Sequence, residues 1–327
     1  MITFHGRVGG RACKLPPDAS PAAADVQWID LRDPTREEEQ AVERLLGLQV
    51  PTRQEMTEIE ESARLYREGG AIVMTAVVVN GVAQDRPERS EVTFLLTADH
   101  LVTVRYADPM PFRTFDTRLA RHPEQNQSAP AILVSLVESF VERIADVLES
   151  VASGLRGCSS AIFYDEEAEP ARPAKPRTDL PTLIRQLGRK NQLLAILRES
   201  LLSFGRILPF LRQGADGWLK GGLSARIKAI ARDLASLATY ETQLEQQISF
   251  LHEATLGLIN LEQNTIIKVF SVAAVLFLPP TLVGTIYGMN FEFMPELKWA
   301  FGYPFALGTM VVSAIVPYYW FKRRGWL

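Results

Sequence analysis

Tyr287-Gly288-Met289-Asn290-Phe291-Glu292-Phe293-Met294-Pro295-Glu296-Leu297-Lys298-Trp299 lies between two apolar runs, and its reading decides the architecture. Residues 269–287 on one side and 300–321 on the other contain no Asp, Glu, Lys or Arg. A bilayer core takes roughly 20 apolar residues as helix, within a range of about 17–25, so each run is long enough to cross. Two core helices of a soluble domain would carry similar text, but nothing comparable elsewhere in the chain would bury them. The stretch therefore reads as the short polar loop of a membrane hairpin.

Working outward, the flanks give an orientation. Lys322-Arg323-Arg324 follows the second run directly, whereas the loop offers only Lys298 against Glu292 and Glu296. An excess of basic residues belongs on the cytoplasmic side, which puts the end of the hairpin there. Two crossings return the chain to its starting side, so the amino-terminal part is expected in the cytoplasm and the loop outside. Met1-Ile2-Thr3-Phe4-His5 leads into mixed polar text without the apolar core of a secretory signal.

Charged residues make up 22% of the chain; with none in the two runs, the remainder is charge-rich and reads as water-facing protein. The net charge of -3 gives no nucleic-acid footprint. Cys13 and Cys158 stand alone and far apart, which suits a reducing compartment and excludes a cysteine metal site or a disulfide framework. His5, His100, His122 and His252 are scattered, and Val8-Gly9-Gly10 is too short to cradle phosphate. Nothing resembles a catalytic constellation, so the chain is not expected to be an enzyme.

The organisation expected is a cytoplasmic α/β domain over 1–128, a helical stalk region over 129–263, and a first transmembrane helix over 264–287. A loop over 288–300, a second transmembrane helix over 301–321 and a basic tail over 322–327 complete it. Strands are expected over 27–31, 72–79, 91–96 and 101–105, with Asn80-Gly81 and Asp99-His100 as turns and an acidic amphipathic helix over 37–46. Long helices follow over 132–155 and 183–211, separated by a Pro- and acid-rich break in which Asp165-Glu166-Glu167 reads as a solvated loop. In the third, Ile227, Ile230, Leu234, Leu237, Glu241, Leu244, Ile248, Leu251, Thr255 and Leu258 keep heptad spacing. That pattern runs into the first span, so residues 222–287 form one rod of roughly 100 Å at 1.5 Å per residue. Its seam packs either on helices of the same chain or on another copy.

Asn264, Ser271, Ala274, Leu278, Thr281 and Thr285 form one stripe of that rod, smaller and more polar than the face carrying Ile266, Val269, Phe277 and Ile286. Such a stripe marks helix contacts or a watery lumen, and two spans per chain enclose a lumen only when several copies surround an axis. Pro279-Pro280 removes two backbone donors in mid-span, a break that persists where neighbours or water satisfy the freed carbonyls. The stripe is expected to line a pore in a homo-oligomer.

At Gly288-Met289-Asn290, just after the first span, the sequence resembles the CorA family of magnesium channels. The likeness continues through Met294-Pro295-Glu296-Leu297 and Gly302-Tyr303-Pro304, and upstream through Ile259-Asn260-Leu261-Glu262-Gln263-Asn264 and Phe277-Leu278-Pro279-Pro280. The resemblance implies an α+β membrane protein of a bacterial inner membrane, multi-pass, with both termini cytoplasmic. Its N-terminal α/β cytoplasmic domain leads by a long stalk helix into the first of two C-terminal transmembrane helices, and the whole assembles as a homopentameric funnel. It implies passive Mg2+ influx, with Co2+ and Ni2+ also carried, and closure by cytosolic Mg2+ bound between protomers. Partners are then other copies, membrane lipid and divalent cations, without nucleic acid, and no cofactor beyond Mg2+ as substrate and regulatory ligand.

Carried over by position, Gly288, Met289 and Asn290 form the selectivity filter, Thr281 and Asn264 are polar pore positions, and Phe270 and Leu278 are apolar gate residues. Phe270 falls one position off the stripe. Glu292 and Glu296 would concentrate cations at the outer mouth, and Asp233, an acid on a buried rod, is the nominee for the regulatory metal. A zinc transporter of the ZntB type, coupled to a proton gradient, shares Gly-Met-Asn and is the alternative; Met294-Pro295-Glu296-Leu297 favours the magnesium branch. A membrane-anchored sensor or enzyme would need a ligand pocket that the sequence does not reveal.

Overall fold

The computed structural model describes residues 1–8, 11–14, 26–58, 60–84, 86–163, 179–290, 292 and 294–324. Asp165-Glu166-Glu167 lies outside them. The chain divides into two units, Met1–His252 and Glu253–Leu327.

The first unit is built on a seven-stranded sheet of order β2-β1-β3-β7-β6-β5-β4. The strands are β1 (Ile2–Val8), β2 (Arg11–Lys14), β3 (Val26–Arg32), β4 (Leu65–Glu68), β5 (Ala71–Asn80), β6 (Glu88–Leu96) and β7 (Leu101–Arg105). Only β3 and β7 pair in parallel, the register running Trp28↔Leu101 to Arg32↔Arg105; the other pairs are antiparallel. Both faces are covered, which is why β5 is buried from Ala71 to Val79 and apolar throughout that stretch except at Thr75, rather than alternating. Ile72, Met74 and Val78 point into the large core with the long helices, and Val73 into a smaller one with Val42 and Met56.

The smaller core is closed by α1 (Arg36–Leu46), α2 (Arg53–Met56) and α3 (Glu61–Arg64). Thr35 caps α1 and Glu38 returns the bond to the Thr35 amide, a reciprocal box. Gly47 ends the helix at φ 67°, a left-handed conformation that suits glycine. The large core gathers α4 (Met110–Arg121), α5 (Ala129–Phe163), α6 (Leu180–Gly214) and the first part of α7 (Leu223–Tyr287). Arg226 ties the start of α7 to α5, its Nη2 donating to Glu138 at 2.7 Å and to Ser135 at 2.8 Å.

At the centre of the sheet the indole of Trp28 donates to Thr103 Oγ1 at 3.0 Å, and Thr103 donates to Asp30 at 2.7 Å. Arg105 grips the same carboxylate, Nη2 to Oδ2 at 2.8 Å, and also donates to Asp108 at 2.7 Å. Burial alone would lower the Arg105 pKa, but the bonds and charge of Asp30 and Asp108 outweigh it and raise it. The network fixes the parallel register of β3 on β7.

The sequence located β3, β5, β6, β7, α1, the three long helices and α8 (Gly302–Arg323), and missed β1, β2, β4, α2, α3 and α4. The two turns are longer than expected. β5 and β6 close at Asn80↔Glu88 through 81–87, where Gly81 sits at φ 70° and a Cβ would meet the Arg86 carbonyl at 2.1 Å. β6 and β7 close at Leu96↔Leu101, with the Thr97 amide donating to the His100 carbonyl at 2.9 Å. The heptad seam packs inside the chain: Ile227, Ile230, Leu234, Leu244, Ile248 and Leu251 belong to the core shared with α5 and α6.

The second unit holds the remainder of α7, a short 3-10 turn at Pro295–Lys298, and α8 (Gly302–Arg323). Both helices are long and apolar enough to cross a membrane, and almost none of their apolar windows is buried in the chain. Pro279 and Pro280 sit within α7 without ending it.

Candidate functional site

Within the second unit α8 covers one face of α7. Val272 of α7 and Ala306 and Phe321 of α8 are buried, while Ala273, Leu276, Pro279, Pro280, Val283, Gly284 and Tyr287 are half-buried. α8 comes close at Gly284, where a Cβ would stand 3.2 Å from the Met310 methyl. At 100° per residue these positions share one side of the helix. Asn264, Ser271, Ala274, Leu278, Thr281 and Thr285 lie roughly opposite, and all six are exposed. Among the described residues of the second unit, α8 therefore leaves the whole small and polar stripe uncovered.

Phe270, at 72% exposure, belongs to the edge of the same face. It stands 11 residues before Thr281, about three turns of helix, so the two nearly eclipse. The offset noted in the sequence is the width of the stripe rather than a conflict.

The stripe presents a particular polarity. Thr281 Oγ1 donates to the Phe277 carbonyl at 2.7 Å and Thr285 Oγ1 to the Thr281 carbonyl at 2.8 Å. A hydroxyl that spends its hydrogen on the helix offers only lone pairs outward. The waters around a cation point their hydrogens away from it, so such a surface accepts from a hydrated cation.

At the end of α7 the Gly288 amide donates to the Gly284 carbonyl at 3.0 Å and the Met289 amide to the Ile286 carbonyl at 3.2 Å. Backbone groups thus close the last turn. Asn290 is exposed, and its side chain makes no hydrogen bond to another described residue. Met289 is exposed beside it. Phe291 and Phe293 lie outside the described residues.

Glu292 and Glu296 are exposed, and Glu296 follows Pro295 in the 3-10 turn. The Glu296 carbonyl accepts the Trp299 amide at 3.3 Å, and the Trp299 carbonyl accepts the Gly302 amide at 2.9 Å. A Cβ on Gly302 would lie 2.1 Å from the Glu296 carbonyl, so only glycine fits. Trp299 packs on Phe301 and Phe305, with ring centroids 6.1 and 5.9 Å away. The Met294-Pro295-Glu296-Leu297 motif is therefore a compact turn fastened to the start of α8.

Asp233, nominated for a regulatory metal held between copies, lies on the exposed face of α7. The buried acid of the seam is Glu241, 3% exposed, held by Arg198 Nη2 of α6 at 3.1 Å. Arg198 also pairs with Glu245, and those two bonds raise its pKa. Glu241 was visible at a heptad position; the arginine that neutralises it comes from another helix and carried no signal. Among the described residues no three His, Cys, Asp or Glu side chains gather into a metal cluster.

The model of the CorA-like Mg2+ transporter protein family matches residues 23–323. The magnesium transport protein CorA of Salmonella typhimurium is 36% identical over 329 residues, covering 100% of both chains. The solved structure of the CorA magnesium transporter from Methanocaldococcus jannaschii superposes with a TM-score of 0.76 at 17% identity, over 100% of this chain and 99% of that one. The ZntB cytoplasmic domain of Vibrio parahaemolyticus shares the fold more distantly, with a TM-score of 0.54 at 10% identity, over 79% of this chain and 97% of that one.

Proposed function

The chain belongs to the CorA-like Mg2+ transporter family, and on that premise we propose that it is a channel of several copies, five by family resemblance, that passes Mg2+ passively down the membrane potential. Co2+ and Ni2+ are the further ions it carries. The observation that supports a channel is the stripe of Asn264, Ser271, Ala274, Leu278, Thr281 and Thr285, exposed on the side of α7 away from α8. Around a common axis that side faces inward and α8 faces lipid.

Mg2+ dehydrates reluctantly and favours octahedral oxygen ligands. A ring of Asn290 amides with Gly288 carbonyls, shaped by Met289, meets the ion's water shell and selects by the size of the hydrated ion. A ring of carboxylates would hold the ion too tightly for fast release; Glu292 and Glu296 stand back from it and raise the local cation concentration. Each elementary charge gains about 2.3 kcal/mol per 100 mV, so a divalent ion gains roughly twice that. Phe270 and Leu278 form apolar constrictions that close by dewetting, and cytosolic Mg2+ bridging carboxylates of neighbouring copies holds the closed form. The amino-terminal unit and the basic end of α8 are cytoplasmic, and the membrane is a bacterial inner membrane.

The test is uptake into liposomes loaded to an inside-negative potential, with Zn2+ and a proton gradient as the paired condition. Mg2+ entry driven by the potential alone is the expected result. Entry of Zn2+ only, dependent on the proton gradient, would move the chain to the ZntB type of transport.

A further inference from the structure

α8 finishes, at the end away from the loop, in a group of cations laid over aromatic rings. The Lys322 ammonium stands 6.0 Å from the centre of the Tyr318 ring, and the Arg324 guanidinium 5.2 Å from Trp320. Both distances lie within the range of cation–π attraction. Arg323 is exposed between them.

These charges meet no acid in their own hairpin. No Asp or Glu occurs in residues 263–291 or 297–327, so the nearest acid on either helix toward that end is Glu262. Lys268 of α7 joins the same level. From the crossing of Gly284 with Met310, α7 and α8 run in opposite directions. Lys268 lies about 24 Å and residues 322–324 about 18–21 Å from that crossing, toward the same end. Four cations therefore share one border of the apolar span with two exposed rings.

We infer that this border is a binding site for an anionic phospholipid, with Lys268, Lys322, Arg323 and Arg324 taking the phosphate and Tyr318 and Trp320 lying against the glycerol and first acyl carbons. The inference rests on reading α8 as a membrane span. A soluble phosphate would use the cations alone; the rings and the apolar helix beneath them fit a ligand with one charged end and one apolar end. Holding Lys322 and Arg324 over rings in advance also reduces the side-chain freedom lost on binding.

The experiment is native mass spectrometry of the full-length protein in detergent, titrated with phosphatidylglycerol or phosphatidylcholine. Each cation beside an anionic surface is worth about a fivefold gain in affinity. The K322Q/R323Q/R324Q variant is expected to hold phosphatidylglycerol at least about tenfold more weakly, with phosphatidylcholine unchanged. Should that variant not assemble, Lys268→Gln alone is expected to lose about fivefold. Equal retention of both lipids by the wild-type protein, or equal phosphatidylglycerol retention by variant and wild type, would overturn the site. Displacement of the lipid by millimolar inorganic phosphate would assign the cations to a soluble anion and overturn it as well. Lipid retention is read without transport, so a protein that selects phosphatidylglycerol yet carries no Mg2+ would count against the proposed function alone.

Discussion

α7 is one helix with two different surfaces. From Leu223 to about Leu251 its apolar seam is buried against α5 and α6, and even its acid at Glu241 has an arginine. Beyond Gln263 the exposed stripe is small and polar, and α8 covers only the other side. The first part is finished within its own unit; the second has a face that α8 leaves exposed. On the proposed pore the two parts divide stability from transport: substitutions in the first should move melting, and those in the second should move flux.

The largest expected effect falls in the second region. Asn290→Ala should reduce Mg2+ uptake about 100-fold, equivalent to roughly 3 kcal/mol of barrier, with unchanged oligomer size by native mass spectrometry. Undiminished uptake would break the comparison at its functional end. Next comes a matched pair. Leu244→Ala, in the buried seam, should cost about 2–5 kcal/mol, read by chemical denaturation of the full chain in detergent. Leu278→Ala, on the exposed stripe, should cost under about 0.5 kcal/mol while raising the resting leak of Mg2+. Equal losses of stability at the two positions would erase the distinction.

A smaller effect is expected at the joint between loop and span. Gly302→Ala forces a Cβ against the Glu296 carbonyl and should cost about 1–3 kcal/mol, seen as a lowered melting temperature together with reduced uptake. The smallest is a pH effect in the first unit. Burial alone would raise the Asp108 pKa, but the bonds and charge of Arg105 and Arg113 hold it below its ordinary 3.8. A depressed carboxyl stabilises the fold above its unfolded pKa and loses that contribution as pH falls through the folded value. Acid titration below about pH 4 should therefore destabilise wild type more than Asp108→Asn, by under about 1 kcal/mol because the group is partly solvated.

Periodicity made most of this readable in advance. The two spans, the seam and the stripe are patterns along one helix, and a helix wheel needs no tertiary knowledge. β5, β6 and β7 were legible because they are β-branched runs covered on both faces. β1 and β2 were not, since Ile2–Val8 and Arg11–Lys14 mix His, Gly, Arg and Lys and owe their strand form to pairing. The same limit hides the partner of Glu241. A sequence shows that an acid lies on a rod, but which side is buried depends on α5 and α6, and Arg198 reaches Glu241 from 43 residues away. Gly302 was quoted only as part of a motif; its reason, a carbonyl 2.1 Å from a Cβ, is a fact of folding and not of pattern.

The parallel pairing of β3 with β7 has a consequence for biosynthesis. Asp30 and Arg105 are 75 residues apart, and among the described strands β1 is the only other one that β3 pairs with. At about 5–20 residues per second, β3 leaves the ribosome some 4–15 s before the strand that shields its open edge. For that interval the nascent chain offers a strand with one open edge, carrying a carboxylate without its guanidinium, so the earliest hazard in making this membrane protein is a soluble one.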